Sequence, residues 1–327
     1  MTTPTLSRDP ETLLAEAAAG NRVALARLLT MVERGGTEAE AVAALAYRSA
    51  HSYTVGLTGP PGAGKSTLTD RLITTARRGW PEVGERLAEP LEQVAVLAID
   101  PSSPFTGGAI LGDRIRMQDH ATDPTVFIRS MATRGHLGGL ALAVPGAVRL
   151  LGAAGMPVTL IETVGVGQME VDIVGAADTT VVVVTPGAGD AMQANKAGIL
   201  EIADVFVINK ADRPGLREAR RDLEGMLELS MFDGWVPPIV ETVAQDGTGV
   251  DSLWAEVARH RAHLIETGEL AARRQRRLAE ELRRVLGVRL ALDVEQLAGG
   301  ALFAEQVSAL SSGETDPFRA AAALLDR

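Results

Sequence analysis

Apolar positions along the chain follow two rhythms. In the first 50 residues Leu25, Leu28, Leu29 and Val32 recur at i, i+3, i+4 and i+7, the spacing of one buried helical stripe. Gly35-Gly36 ends that helix, and Thr37-Glu38 opens another that runs toward Ser49. From residue 53 the rhythm changes. Short runs rich in Val, Ile and Leu, at 53–58, 94–99, 125–128, 158–161, 179–185, 205–208 and 238–242, alternate with helical stretches. Most are almost continuously apolar, as strands are when both faces of a parallel sheet are covered. Alternating strand and helix imply right-handed βαβ units and a three-layer α/β domain. After Thr248-Gly249 the pattern is helical again, over 250–265 and 268–286. In the second of these, Leu278, Leu282 and Val285 form a stripe flanked by Arg273, Arg274, Arg276, Arg277, Arg283 and Arg284. Those charges read as a solvated helix face or as an interaction arm for a second subunit or a partner. The organisation expected is an N-terminal helical segment (1–50), an α/β domain (51–265) and a C-terminal helical arm (266–327).

Composition narrows the function classes. A chain of 327 residues fits one large or two small domains, and an apolar fraction of 46% supplies a sizeable core. Aromatics are only 3%, so that core rests on Ala, Val, Leu and Ile. The net charge of −10, with few aromatic stacking platforms, argues against nucleic-acid binding. Zero cysteines excludes disulfides, iron–sulfur clusters, thiolate zinc sites and cysteine nucleophiles. His260 and His263 sit three apart on an expected helix and read as a solvated face rather than a metal site. Residues 1–10 lack a basic start followed by an apolar run, and the densest apolar runs are of strand length. The mildly apolar stretch 137–161 is broken by Pro145, Arg149 and glycines. A soluble cytoplasmic protein with no membrane partner is expected.

The strongest chemical signal is Gly59-Pro60-Pro61-Gly62-Ala63-Gly64-Lys65-Ser66-Thr67, which fits G-x-x-x-x-G-K-[ST] between a strand and a helix. Glycines let successive backbone N–H groups face a phosphate, and the helix N-terminus adds partial positive charge. Lys65 is placed to bridge β- and γ-phosphates, and the Ser66 hydroxyl to ligate Mg²⁺. The expected fold is therefore a three-layer P-loop NTPase with a mostly parallel sheet. About 145 residues later, at a strand end, stands Asn209-Lys210-Ala211-Asp212. A carboxylate at Asp212 accepts from the N1–H and 2-amino group of guanine, a pair that adenine lacks; this points to GTP over ATP. Asn209 is expected to tie the base loop to the phosphate loop, and the Lys210 stem to cover the base. Glu241-Thr242-Val243-Ala244 ends the next strand, where such proteins place a loop whose backbone contacts the guanine oxygen.

Two acids end expected strands, Asp100 after 94–99 and Glu162 after 158–161. Carboxylates at strand ends beside a phosphate loop build Mg²⁺ coordination or support it. Gly165 is placed to bring a backbone N–H to the γ-phosphate. Val166 stands where Ras-like proteins carry the water-orienting Gln, and Gln168 follows two residues later. The expectation is slow intrinsic hydrolysis, completed by a partner. The polar, Gly-rich segment 101–117 reads as a switch. In it Asp113 is a candidate for holding a metal-bound or attacking water, with Arg116 paired to it or to phosphate. A second such segment is 129–139, with Thr133-Arg134-Gly135-His136 at its tip.

Together these blocks resemble the MeaB/ArgK family of GTPases associated with methylmalonyl-CoA mutase. The resemblance is carried by GPPGAGKST (59–67), AIDPSSPFTGGAILGDRIRM (98–117), TRGHLGG (133–139), LIETVGVGQ (160–168), GAGDAMQANKAGILEIAD (187–204) and NKAD (209–212). It covers the terminal helices less specifically. It implies a homodimeric, Mg²⁺-dependent GTPase that turns GTP into GDP. It also implies a chaperone role for an adenosylcobalamin-dependent acyl-CoA mutase, gating cofactor loading and protecting that enzyme. Carried over with it are Lys65, Ser66, Asp100, Asp113 and Glu162 at phosphate and metal, and Asn209, Lys210 and Asp212 at the base. Asp190, Gln193 and Lys196 match an extra switch that communicates with the mutase. Met169, Ala194-Asn195 and the lengthened connection 80–91 depart from the pattern and bear on which mutase is served. Competing readings are a GTPase that delivers nickel, which would want His-rich or Cys ligands, and a kinase or ATPase of a transport system.

Overall fold

The computed structural model describes residues 9–49, 51–84, 88–100, 120, 122–132, 139–163, 175–187, 201–230, 232 and 234–325. Three helices open it: α1 (Pro10–Ala18), α2 (Arg22–Arg34) and α3 (Gly36–Ala46). Each of the first two starts where a side chain satisfies an otherwise orphaned N–H. Asp9 accepts from the Thr12 N–H at 2.9 Å, with Pro10 in the first turn. Asn21 accepts from the Val23 and Ala24 N–H groups at 3.0 and 3.2 Å. The expected stripe is buried: Leu25, Leu28 and Leu29 are at most 1% exposed.

The alternating region follows as β1 (Tyr53–Thr58), α4 (Lys65–Ala76), β2 (Val94–Asp100), β3 (Val126–Ala132), α5 (Gly139–Ala153), β4 (Val158–Thr163), β5 (Thr179–Val184), β6 (Val205–Asn209), α6 (Leu216–Glu228), β7 (Ile239–Thr242) and α7 (Val250–Glu266). Among the described residues the seven strands form one sheet, ordered β3-β2-β4-β1-β5-β6-β7, and every pairing is parallel. All strand C-termini therefore lie at one edge of the sheet, which is where ligands bind in such folds.

Alternation within strands sends side chains to two different cores. Val181 and Val183 join Val55, Leu57, Val205 and Val207 beneath Leu68, Leu72 and Ile73 of α4 and Leu253, Trp254 and Val257 of α7. Val182 and Val184 face the other way, with Phe206 and Ile208, onto Leu223 and Met226 of α6. On that second face Leu97, Ile99 and Ile161 pack with Leu13, Leu25, Leu28 and Leu29 of the N-terminal helices and Leu150 and Leu151 of α5. The N-terminal helical segment thus shares its core with the sheet. Burying each such Leu contributes roughly 1.5–3 kcal/mol relative to exposure.

Some boundaries differ from the sequence reading. Strand β3 extends to Ala132, so residues 129–132 of the expected second switch are strand. Arg129 is accommodated there because its guanidinium takes both Glu33 carboxylate oxygens, at 3.0 and 2.8 Å. Helix α5 continues through Pro145, which removes one backbone hydrogen bond without ending the helix. No helix among the described residues is long and apolar enough to cross a membrane.

Helix α8 (Glu269–Ala298) outruns the expected 268–286, and α9 (Ala301–Ser312) and α10 (Pro317–Leu325) follow. The chain forms two compact units, one ending at Arg277 and the other comprising Leu278–Arg327. In the first, three of the arginines read as a solvated face or interaction arm turn inward instead. Arg273 donates to both Asp204 oxygens at 3.0 and 3.1 Å, Arg274 to Asp178 at 2.7 Å, and Arg277 to Asp178 and to the Ala176 carbonyl. His260 is fully buried rather than solvated, with Nδ1 2.8 Å from Thr179 Oγ1 and Nε2 3.2 Å from Asp204 Oδ1. In the second unit Leu282, Val285, Leu286 and Leu290 of α8 are exposed.

Candidate functional site

Strand β1 delivers the chain into the glycine loop at the C-terminal edge of the sheet, and α4 starts at Lys65. Gly59 has φ of +137°, and a Cβ there would lie 2.0 Å from the Val183 carbonyl oxygen, so only glycine fits. Lys65 is nearly buried and donates to the carbonyls of Gly59 and Pro60. This holds the ammonium against the mouth of the loop. Ser66 Oγ donates to Glu162 Oε1, and Glu162, at the end of β4, is 1% exposed.

Strand β6 ends on Asn209, whose side chain links three segments. Its Nδ2 donates to the Ala63 carbonyl of the glycine loop at 2.8 Å. Its Oδ1 accepts from Thr242 Oγ1 and from the Ala244 N–H, both at 3.1 Å. Asn209 therefore ties the 242–244 segment and the end of β6 to the glycine loop. Lys210, at φ +58°, lays its stem across the cleft and donates to the Gly62 carbonyl at 2.6 Å.

These residues enclose one cleft of about 530 Å³. Pro61, Gly62, Gly64, Lys65, Ser66, Thr67 and Glu162 line its phosphate end, and Asn209, Lys210, Asp212, Val243 and Ala244 its other end. Of the remaining residues singled out from sequence, Gly59, Pro60 and Ala63 contribute carbonyls that hold Lys65 and Asn209, and Thr242 its hydroxyl to Asn209. Asp100 ends β2, paired with Ala132 of β3. Asp113, Arg116, Gly165, Val166, Gln168, Asp190, Gln193 and Lys196 lie outside the described residues, as does the 133–136 tip.

The sequence reading missed four contributors. Thr163, Arg213 and Gln245 also line the cleft. Arg71, on α4, donates through Nε to the Ala244 carbonyl at 3.2 Å and through Nη2 to the Gln245 carbonyl at 2.7 Å. A guanidinium bound to main-chain carbonyls leaves no signature in a residue pattern, because any residue type supplies the acceptor.

Hydroxyl, ammonium and carboxylate groups are thus gathered at one end, and a carboxylate with a flat apolar stem at the other. A nucleoside triphosphate matches that division. Among the described residues no three His, Cys, Asp or Glu side chains gather into a metal cage of their own.

Known proteins resemble this chain over most of its length. Residues 25–296 match the family described as Methylmalonyl Co-A mutase-associated GTPase MeaB. A putative GTPase of Pyrococcus horikoshii is 47% identical over 313 residues, spanning 94% of this chain and 95% of that protein. GTPase ArgK of Escherichia coli is 35% identical over 275 residues, 81% of this chain and 80% of ArgK. The mitochondrial methylmalonic aciduria type A homolog of Mus musculus is 34% identical over 276 residues, 78% of this chain and 64% of that protein. A crystal structure of a LAO/AO transport system kinase superposes with a TM-score of 0.69 over 99% of both chains at 24% identity, which shows the shared fold.

Proposed function

The chain belongs to the MeaB family of GTPases, and from that premise we propose that it serves as a chaperone for an adenosylcobalamin-dependent acyl-CoA mutase. The protein is a GTP hydrolase, converting GTP and water to GDP and phosphate. The observation that carries the client assignment is the match over residues 25–296 to a family described as mutase-associated. The mouse relative is named for methylmalonic aciduria and the family for methylmalonyl-CoA mutase, so that mutase is the first client to try. In this role GTP turnover gates cofactor loading and protects the mutase from inactivation.

Guanine is held at Asp212, with Asn209 and the 242–244 loop bracing its pocket and the Lys210 stem over its face. Mg²⁺ fits the donor set present. The Ser66 hydroxyl and the Glu162 carboxylate are hard oxygen donors already within hydrogen-bonding reach of one another at the phosphate end of the cleft. Asp100 belongs to the same proposed set. When bound, the ion neutralises charge on the β- and γ-phosphates. Lys65 binds the same phosphates as a point charge. Asp113 and Arg116, with Gly165 and Gln168, form the switch around the γ-phosphate, and Asp190, Gln193 and Lys196 the switch that faces the mutase. With Val166 in place of a water-orienting Gln, intrinsic hydrolysis is slow and the partner completes the site. The exposed Leu282, Val285, Leu286 and Leu290 of α8 support a homodimer formed through the 266–327 arm. A cytoplasmic location fits this client.

The test is GTP hydrolysis by the purified protein with Mg²⁺, alone and with methylmalonyl-CoA mutase, using ATP as control. Stimulation by the mutase with GTP only is expected. Unchanged GTP turnover would assign the protein to a different client, and preferential ATP hydrolysis would overturn the base assignment.

A further inference from the structure

The loop after β7 carries its own internal scaffold. The Val243 N–H donates to the Thr248 carbonyl at 3.0 Å, the Asp246 and Gly247 N–H groups to the Val243 carbonyl at 3.3 and 3.0 Å, and the Thr248 N–H to Asp246 Oδ1 at 2.9 Å. The Ala244 N–H is taken by Asn209 Oδ1. That accounts for every N–H from 243 to 248 except that of Gln245, which has no acceptor among the described residues and belongs to a residue lining the cleft.

The Gln245 N–H and the Ala244 carbonyl are two ends of one planar trans peptide, so they point in opposite directions. Arg71 grips that carbonyl through Nε and the next carbonyl through Nη2. Two parallel bonds from a rigid fork fix an orientation as well as a position. The fork is carried by α4, the helix whose first residues are Lys65 and Ser66.

We propose that Arg71 is a positioning residue for base recognition, which aims the Gln245 N–H at the 6-oxo group of guanine and ties that aim to the phosphate-binding helix. The proposal rests on guanine lying against Asp212. Asp212 reads the N1–H and 2-amino edge, and the Arg71-held peptide reads the oxygen. The site then distinguishes guanine by its N1–H and 2-amino edge and by its oxygen, through two separate elements.

The experiment is calorimetric binding of GDP, IDP and 6-thio-GDP to the full chain, its Arg71→Ala form and its Arg71→Lys form, with melting temperature as a check on folding. IDP lacks the 2-amino group; 6-thio-GDP replaces the oxygen with a poor acceptor. Expected for Arg71→Ala is a fall of about five- to tenfold in GDP and IDP affinity with little change for 6-thio-GDP. The preference for GDP over 6-thio-GDP then collapses while the preference over IDP is kept. Arg71→Lys, whose single ammonium cannot reproduce the fork, is expected to lie between. A preserved GDP to 6-thio-GDP ratio in both variants overturns the proposal, as does an equal loss for all three nucleotides, which is what general loosening of α4 would give. Should the unaltered protein fail to prefer GDP over IDP, the Asp212 assignment falls and the proposal with it, a result distinct from failure at Arg71 alone.

Discussion

Arg274 Nη2 donates to Asp178 Oδ2 at 2.7 Å, joining the first turns of α8 to the start of β5, at the end of the sheet opposite the nucleotide cleft. Asp178 has a side chain only 2% exposed, and it also receives Arg277 and the Thr54 N–H. A buried charge with its partners removed is far costlier than the pair is stabilising. Asp178→Ala, which strands two arginines, should cost about 3–5 kcal/mol, and Arg274→Ala about 1–3 kcal/mol because Arg277 remains. Chemical denaturation of both variants checks the order.

The same pairs set the acid limit of the fold. Burial opposes ionisation of Asp178, yet Arg274 and Arg277 outweigh it and hold the carboxyl below the usual carboxylate range. At Asp204 burial is likewise outweighed, by the His260 hydrogen bond and Arg273. A depressed folded-state pKa stabilises the fold above the unfolded value of about 3.9, and that contribution disappears as pH falls through the folded value. The urea midpoint should therefore hold steady from pH 7 to about 5 and drop steeply below about 4. Asp178→Asn should flatten that limb; an unchanged acid limb would remove these carboxylates as its cause.

Asp212 carries the choice of base. Asp212→Asn exchanges two acceptor oxygens for one acceptor and one donor, so it clashes with the 2-amino group of guanine and suits the 2-oxo group of xanthine. GTP turnover should fall by about 100-fold and XTP turnover should rise. Parallel loss of both would place the carboxylate outside base recognition.

Ser66 and Glu162 meet at the phosphate end of the cleft. Ser66→Ala removes a hard oxygen donor while leaving the loop backbone intact, so GDP alone should still bind. The Mg²⁺ concentration needed for half-maximal GTP hydrolysis should rise by about tenfold or more. An unchanged Mg²⁺ requirement would take Ser66 out of the metal's coordination.

Much of this was legible in the sequence because the signals were short-range. The seven strands showed as Val-rich runs, and the glycine loop and 209–212 showed as spaced residue types. The long-range partners did not. His260 and Arg273, Arg274 and Arg277 sit on helices rich in charge, and nothing local tells that Asp178 and Asp204, 56 to 99 residues earlier, are buried opposite them. Arg129 looked like loop chemistry because its partner, Glu33, is 96 residues away. Arg71 was invisible because it binds main chain.

The two inner glycines of the phosphate loop separate backbone strain from close approach. Gly62 and Gly64 both have positive φ, +76° and +89°, where any Cβ costs about 1 kcal/mol or more. They differ in what a Cβ would meet. At Gly62 nothing lies within 4 Å; at Gly64 it would come within 2.4 Å of Asn209 Nδ2. That nitrogen is the one bonded to the Ala63 carbonyl, while the same side chain's oxygen holds Thr242 and Ala244. Gly64→Ala must therefore push Asn209 off the phosphate loop and loosen the base loop together. Gly62→Ala should weaken GDP binding about five- to tenfold through strain alone, and Gly64→Ala by about 100-fold or more. Equal losses in the two variants would mean that strain decides and that the Asn209 brace adds nothing to nucleotide binding.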